Sequence, residues 1–301
     1  MLEGSRIGQL FDAASRIVAR KRMIIAKSQS DLEKMRAVGE LIAEVREALR
    51  RMIEPGITTL ELNNAAEKMM RDAGAIPTFI GYKPRGMVPF PFAICASVNE
   101  QIVHGFSTDK PLREGDILSI DMAATYQGFV GDTATTVPVG KIRDDLAQLI
   151  RVTEECLELA IEQCYPNNRV GDIGWAVQQH AEKYGYGIVR DYTGHGIGRS
   201  MHEAPQIPNY GRKGTREKIR VGYCFAIEPM LNLGTAETKT LDDGWTVVTS
   251  DGKASAHCEH TLAVTPAGPE ILTLTKNQKA ALNMAKAENA VAPLESAAKK
   301  G

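Results

Sequence analysis

The chain has 301 residues, 43% of them hydrophobic and 24% charged, which is enough apolar material for a substantial buried core and excludes disorder as the main state. Thirty-six basic residues against 37 acidic ones leave a formal charge of −1, so no global field favours nucleic acid or an anionic membrane. The longest apolar stretches, such as Ile117–Ile120 and Tyr223–Ile227, fall far short of the roughly 20 residues that cross a bilayer, and five cysteines without a C-x-x-C pair read as thiols of a reducing compartment.

Residues 1–22 place Ile7, Leu10, Phe11, Ala14, Ile17 and Val18 at helical spacing, with Arg16, Arg20, Lys21 and Arg22 clustered behind them. They read as a basic amphipathic extension. A secretory leader would need a longer apolar core, and Glu3 and Asp12 weigh against an organelle leader, so a soluble, cytoplasmic protein is expected. Next comes a pattern that occurs twice. Ser30-Asp-Leu-Glu33 resembles a capping box, and the helix behind it carries Leu32, Met35, Val38, Ile42, Val45, Leu49 and Met52 before Pro55-Gly56 stops it. A second helix runs from about Thr59 to Ala73, closed by Gly74.

The second copy begins near Asp144, aligns Leu146, Leu149, Ile150, Cys156, Leu157, Ile161 and Cys164, and stops before Pro166; its second helix spans roughly Gly171 to Tyr184 and ends at Gly185. Pro55 and Pro166 are 111 residues apart, as are Gly74 and Gly185. Each helix pair leads to an apolar strand with an acid, Asp121 in the first copy and Glu228 in the second, and then to a further acid, Asp132 and Glu259. Two related α+β halves, about 30–140 and 143–268, are therefore expected inside one domain of residues 23–275, followed by a tail over 276–301. A pseudo-twofold axis between the halves would gather the four acids.

Asp121 is read at the end of its strand and Asp132 at the start of the next, with Tyr126-Gln127-Gly128 as the turn. Hairpin pairing would then set the two acids opposite each other, where like charges destabilise a sheet unless a cation lies between them. Asp121 and Glu228 follow apolar residues, and buried carboxylates are costly without a partner. His195 lies in Thr193-Gly194-His195-Gly196-Ile197-Gly198, where three glycines argue against a helix and for an extended or bent segment with close backbone approach. Four carboxylates beside a neutral imidazole carry four negative charges, which two divalent ions about 3.5–4 Å apart would balance, the recurrent hydrolytic two-metal arrangement.

Together with Ser97-Val-Asn-Glu-Gln-Ile-Val-His104-Gly, Gly115–Asp121, Gly131-Asp132-Thr, Gly194–Glu203, Ala226-Ile-Glu228-Pro-Met and Glu259-His-Thr, these residues closely resemble type I methionine aminopeptidases over about Ile24 to Leu274. The resemblance implies a pita-bread, or creatinase-like, α+β fold with an antiparallel sheet and outer helices. It implies Asp121, Asp132, His195, Glu228 and Glu259 as metal ligands, with Asp132 and Glu259 bridging two divalent ions of Co, Mn, Fe or Zn. His104 and His202 would contact substrate, Glu228 would also act as general base, and Tyr82, Cys95, Met201 and Trp245 would line a methionine pocket. The implied activity is removal of the initiator methionine from peptides or nascent chains with a small second residue, by a monomer with transient ribosome association.

Three departures from the commoner family pattern concern the pocket: His257-Cys258 in place of Gln and an aromatic, Met201 where an aromatic is common, and a long segment Lys83–Phe92. Proline-directed peptidases of the same fold usually carry a large N-terminal domain, for which 22 residues leave no room, and type II enzymes insert a domain where only 25 residues separate His202 from Glu228. A non-catalytic ribosome- or protein-binding member of the fold is the alternative function, though such members lose ligands and none is missing here. An H-E-x-x-H zinc motif is absent, and a Cys258–His260 nucleophile pair has no third orienting group.

Overall fold

The computed structural model describes residues 23–84, 86–282 and 284. The cap of its first helix lies two residues earlier than predicted. Ser28 Oγ accepts from Asp31 N–H at 3.2 Å while Asp31 Oδ2 accepts from Ser28 N–H at 3.1 Å, a reciprocal capping box that opens α1 at Gln29–Met52. The α2 helix, Thr59–Asp72, has the same device on Thr58 and Glu61, and Gly74 follows it at φ +75°. In the second half α3 is Asp144–Ile161 and α4 is Val170–Ala181. The predicted end of α4 is a separate 3-10 turn, Glu182–Tyr184, terminated by Gly185 at φ +71°.

The strands are β1 Ile76–Pro77, β2 Cys95–Val98, β3 Gln101–Val103, β4 Ile117–Tyr126, β5 Phe129–Pro138, β6 Gly187–Ile188, β7 Gly194–Gly196 and β8 Glu203–Ile207. They continue as β9 Cys224–Ile227, β10 Met230–Asn232, β11 Thr238–Thr240, β12 Val247–Thr249, β13 Ser255–His257, β14 Glu259–Thr265 and β15 Gly268–Ile271. The main sheet is antiparallel in the order β1-β4-β5-β14-β9-β7-β8, with β2 on β4 and β15 on β14. Its seam is β5 against β14, where Glu259 pairs with Ala134 and His260 with Thr133. Each half of the sheet is covered by its own helix pair. Leu32, Met35, Ile42, Leu62 and Met70 pack with Leu118 and Ile120, whereas Leu149, Cys156, Ile173 and Val177 pack with Phe225, Ile227 and Leu262.

The β4–β5 register corrects one expectation. Its loop is only Gln127-Gly128, both left-handed at φ +51° and +78°, the signature of a two-residue type I′ turn closed by the Tyr126–Phe129 pair. Asp121 therefore lies inside β4 opposite Ala134, and Asp132 lies opposite Ala123. The two acids are diagonal neighbours on one face rather than direct partners. The basic extension, residues 1–22, and the tail from residue 285 lie outside the described residues; residues 276–282 of the expected tail are helical. Among the described residues no helix is long and apolar enough to cross a membrane.

Candidate functional site

The sheet seam places the four acids and His195 together. Asp132 is fixed through its backbone, its N–H donating to Thr261 Oγ1 at 3.0 Å and its carbonyl accepting from the same hydroxyl at 2.8 Å. Glu259 opens β14, and its carbonyl accepts from Thr133 Oγ1 at 3.0 Å. Glu228 follows β9, held at its carbonyl by Asn209 Nδ2 at 2.9 Å. His195 occupies β7 between β8 and β9, and the glycines beside it are there for space: a Cβ on Gly194 would stand 2.6 Å from Ala226 O, and one on Gly196 would collide with Ala204 O. The extended segment and its close backbone approach agree with the sequence reading.

His195 Nδ1 is 2.9 Å from the Gly196 carbonyl. Because a carbonyl only accepts, the ring proton sits on Nδ1 and the Nε2 lone pair is left facing the acids, 3.4 Å from Glu228 Oε1 and 4.0 Å from Asp132 Oδ2. Asp132, His195 and Glu259 each offer a ligand atom within 4.8 Å of the others. Asp121 Oδ1, Asp132 Oδ1 and Glu259 Oε1 are buried with no hydrogen-bond partner among the described residues.

Burial, and then the charge of the neighbouring acids, pushes the carboxyl groups of Asp132, Glu228 and Glu259 well above their ordinary range; burial does the same to Asp121. Four carboxylates in so dry a place cannot all ionise without positive charge between them. Burial drives His195 the other way, down to about 3, so it stays neutral and able to ligate. Oxygen donors with one imidazole suit a divalent ion of the Mn, Fe, Co or Zn class, and the residues present fit that group. The Arg46 guanidinium is buried behind the cluster, donating to the Thr133 hydroxyl, and its charge opposes the upward shift of Glu259.

Around the acids the aromatic residues form one wall. Trp245 is buried, donates from Nε1 to Val88 O at 3.0 Å, and packs against Phe90, His104 and Tyr82 at centroid distances of 5.2, 5.8 and 6.4 Å. The long segment Lys83–Phe92 thus supports the wall. His104 also meets Tyr192 at 5.4 Å, and its backbone is left-handed at φ +59°. The His202 ring lies 4.4 Å from the His195 ring, and its Nδ1 is 2.9 Å from Tyr82 Oη. Cys95 is opposite Asp121 in the β2–β4 register, with its thiol held protonated by burial and by the charges of Asp121 and Asp132. Met201 is buried in the same apolar cluster as Cys95, Trp245 and the partly buried Tyr82. A cleft of about 410 Å³ reaches His202 from the side of Met23, Ile25 and Phe129.

Tyr192 and Phe90 escaped the sequence reading, and His257 entered it only as a departure from the family pattern at the pocket. The first two join by packing alone. His257 is 2% exposed, with Nε2 4.0 Å from Glu228 Oε2. It stands two residues before Glu259, and the two-residue period of a strand was the available signal.

Comparison with known proteins points to one family. The model described as metallopeptidase family M24 matches residues 33–266. A methionine aminopeptidase of Clostridium perfringens is 47% identical over 254 residues, covering 84% of this chain and 100% of the relative. Methionine aminopeptidase 1 of Bacillus subtilis is 45% identical over 251 residues, 83% of this chain and 99% of its own. The crystal structure of methionine aminopeptidase from Rickettsia prowazekii superposes with a TM-score of 0.81 at 43% identity, covering 84% of this chain and 100% of that one. A prolidase from Pyrococcus horikoshii OT3, at 22% identity and a TM-score of 0.67, shares the fold over 84% of this chain and 65% of its own. On these matches, which span the sheet seam, its acids and His195, the chain belongs to the methionine aminopeptidases of metallopeptidase family M24.

Proposed function

We propose that this chain hydrolyses the first peptide bond of polypeptides that begin with methionine, using two divalent ions that Asp121, Asp132, His195, Glu228 and Glu259 would hold. The observation that carries the reading is the bare Nε2 of His195 facing buried carboxylates whose outer oxygens lack partners. The chemistry that divalent ions would supply there is polarisation of a carbonyl and a lowering of the pKa of water from 15.7 toward 7.

The remaining chemistry falls to the side chains. Glu228 takes the proton of the attacking water and returns it to the departing amine. His202 donates from Nε2 to the oxygen on which charge develops, and preorganised donors at that place are worth roughly 3–4 kcal/mol of barrier. His104, flanked by the Tyr192 and Trp245 rings, holds the amide of the second residue, and a small side chain is preferred there. Tyr82, Cys95, Met201 and Trp245 receive the methionine side chain.

The test is release of free methionine from a Met-Ala-Ser peptide by chelator-stripped protein, with and without added Mn, Co, Fe or Zn. Metal-dependent release is expected. No release with any metal, from protein shown to be folded, would favour the binding-protein alternative instead.

A further inference from the structure

His257 is a buried polar side chain beside the acids that the proposed mechanism does not use. Neither of its ring nitrogens has a hydrogen-bond partner among the described residues. An unpaired nitrogen in the interior costs free energy, so a native protein keeps one where a ligand or a moving neighbour completes it. The ring is not free to seek a partner elsewhere. The His257 N–H donates to Thr136 Oγ1 at 2.9 Å, the same hydroxyl lies 2.8 Å from the His257 carbonyl, and β13 is paired to β10 with His257 opposite Met230.

What the ring faces is the second oxygen of Glu228. Oε1 of that carboxylate is turned toward His195 Nε2 at 3.4 Å, on the side where Asp132 Oδ2 also lies, while Oε2 is turned toward His257 Nε2 at 4.0 Å. Glu228 is therefore held between two imidazoles of opposite character. The His195 proton is on Nδ1, so that ring offers a lone pair; a second lone pair from His257 would leave Oε2 with no donor at all.

We propose that His257 is a positioning residue for Glu228: with Oε1 engaged on the His195 side, the Nε2–H of His257 donates to Oε2 and fixes the rotation of the carboxylate. This rests on the metallopeptidase reading of the same site. The 4.0 Å gap is longer than a hydrogen bond, and a shift of about 1 Å between the two side chains closes it. Donors behind a ligating carboxylate typically contribute 10- to 100-fold in metal affinity.

Two readouts that do not depend on peptidase activity test it. In zinc-loaded protein labelled with ¹⁵N-histidine, with the His257 signals assigned by their loss in His257→Gln, Nε2 is expected to carry the proton and Nδ1 to be bare. By calorimetry, His257→Phe is expected to weaken zinc binding about 10- to 100-fold, while His257→Gln, whose amide can donate, recovers most of it. Proton on Nδ1, a direct zinc–Nε2 bond, or unchanged zinc affinity in a folded His257→Phe would each overturn the proposal. If His257→Phe does not fold, the spectrum of the unaltered protein still decides. Methionine release absent while the Nε2–H signal is present would count against the peptidase reading alone.

Discussion

Tyr82 Oη lies 2.9 Å from Nδ1 of His202, a residue 120 positions further along the chain. Burial raises the pKa of the phenol, so Tyr82 keeps its proton and can donate it to Nδ1. The ring hydrogen of a neutral His202 then sits on Nε2, the tautomer that donates into the site. A residue read from the sequence as pocket lining thus also governs the direction of a hydrogen bond.

Tyr82→Phe keeps the packing against Trp245 and His202 but removes that donor. We expect kcat to fall roughly 10- to 100-fold, as for other groups that orient a reacting side chain, with KM for a Met-Ala-Ser peptide little changed. Steady-state kinetics checks this; an unchanged kcat would mean that another group sets the His202 tautomer.

Glu228→Gln preserves shape but supplies no base. A decrease in kcat of about 10²- to 10⁴-fold is expected, with the circular dichroism spectrum of the metal-free protein retained. Its thermal midpoint should rise, because a buried group that resists ionisation has been replaced by a neutral one. Near-normal turnover in this variant would refute the role given to Glu228.

The same electrostatics gives the metal-free protein an unusual pH dependence. The folded-state pKa values of Asp121, Asp132, Glu228 and Glu259 are raised, so the folded state binds more protons than the unfolded chain, and stability is lost as pH rises. Below about pH 6.5 the buried His104, His195 and His257, whose pKa values are lowered, oppose this trend. The clean window is about pH 7 to 8.5, bounded above by the buried thiols, which act in the same direction. Chelator-stripped protein should lose thermal stability across that window, and Mn at about 100 times its Kd should restore roughly 2.7 kcal/mol. A thermal midpoint independent of both pH and Mn would contradict the placement of these acids.

How far the sequence carried depends on which interaction defines each feature. The acids and the histidine that the sheet seam gathers were legible because they sit at chemically conspicuous places: His195 between glycines, and acids attached to apolar strands. The diagonal placement of Asp121 and Asp132 was not, because register follows from whether the loop holds two residues or three, and Gln127-Gly128 settles that through two left-handed backbones. Ser28 and Ser30 each have an acid three residues on, so local pattern alone could not choose the cap. The Tyr82–His202 bond and the seat of His257 beside Glu228 depend on contacts between segments distant in the chain, which no local periodicity encodes.

The glycines around His195 provide the last test, one whose sign separates packing from chain entropy. Replacing glycine with alanine at a permissive site usually stabilises a protein by about 0.4–1 kcal/mol, because the unfolded chain loses freedom. Gly196 is not such a site, since an added Cβ would collide with the Ala204 carbonyl across the β7–β8 pair. That strand cannot yield alone, because β7 is also paired with β9 at His195 and Ala226. The methyl group must therefore either push β8 away or rotate His195 out of line with Asp132 and Glu228. Gly196→Ala is expected to destabilise by about 1–3 kcal/mol, as overpacking does elsewhere, and to weaken zinc binding at least tenfold because the Nε2 lone pair no longer points at the acids. Calorimetry and thermal unfolding on one preparation check both, and a variant as stable as the parent with unaltered zinc affinity would show that β8 yields to the methyl group without moving His195.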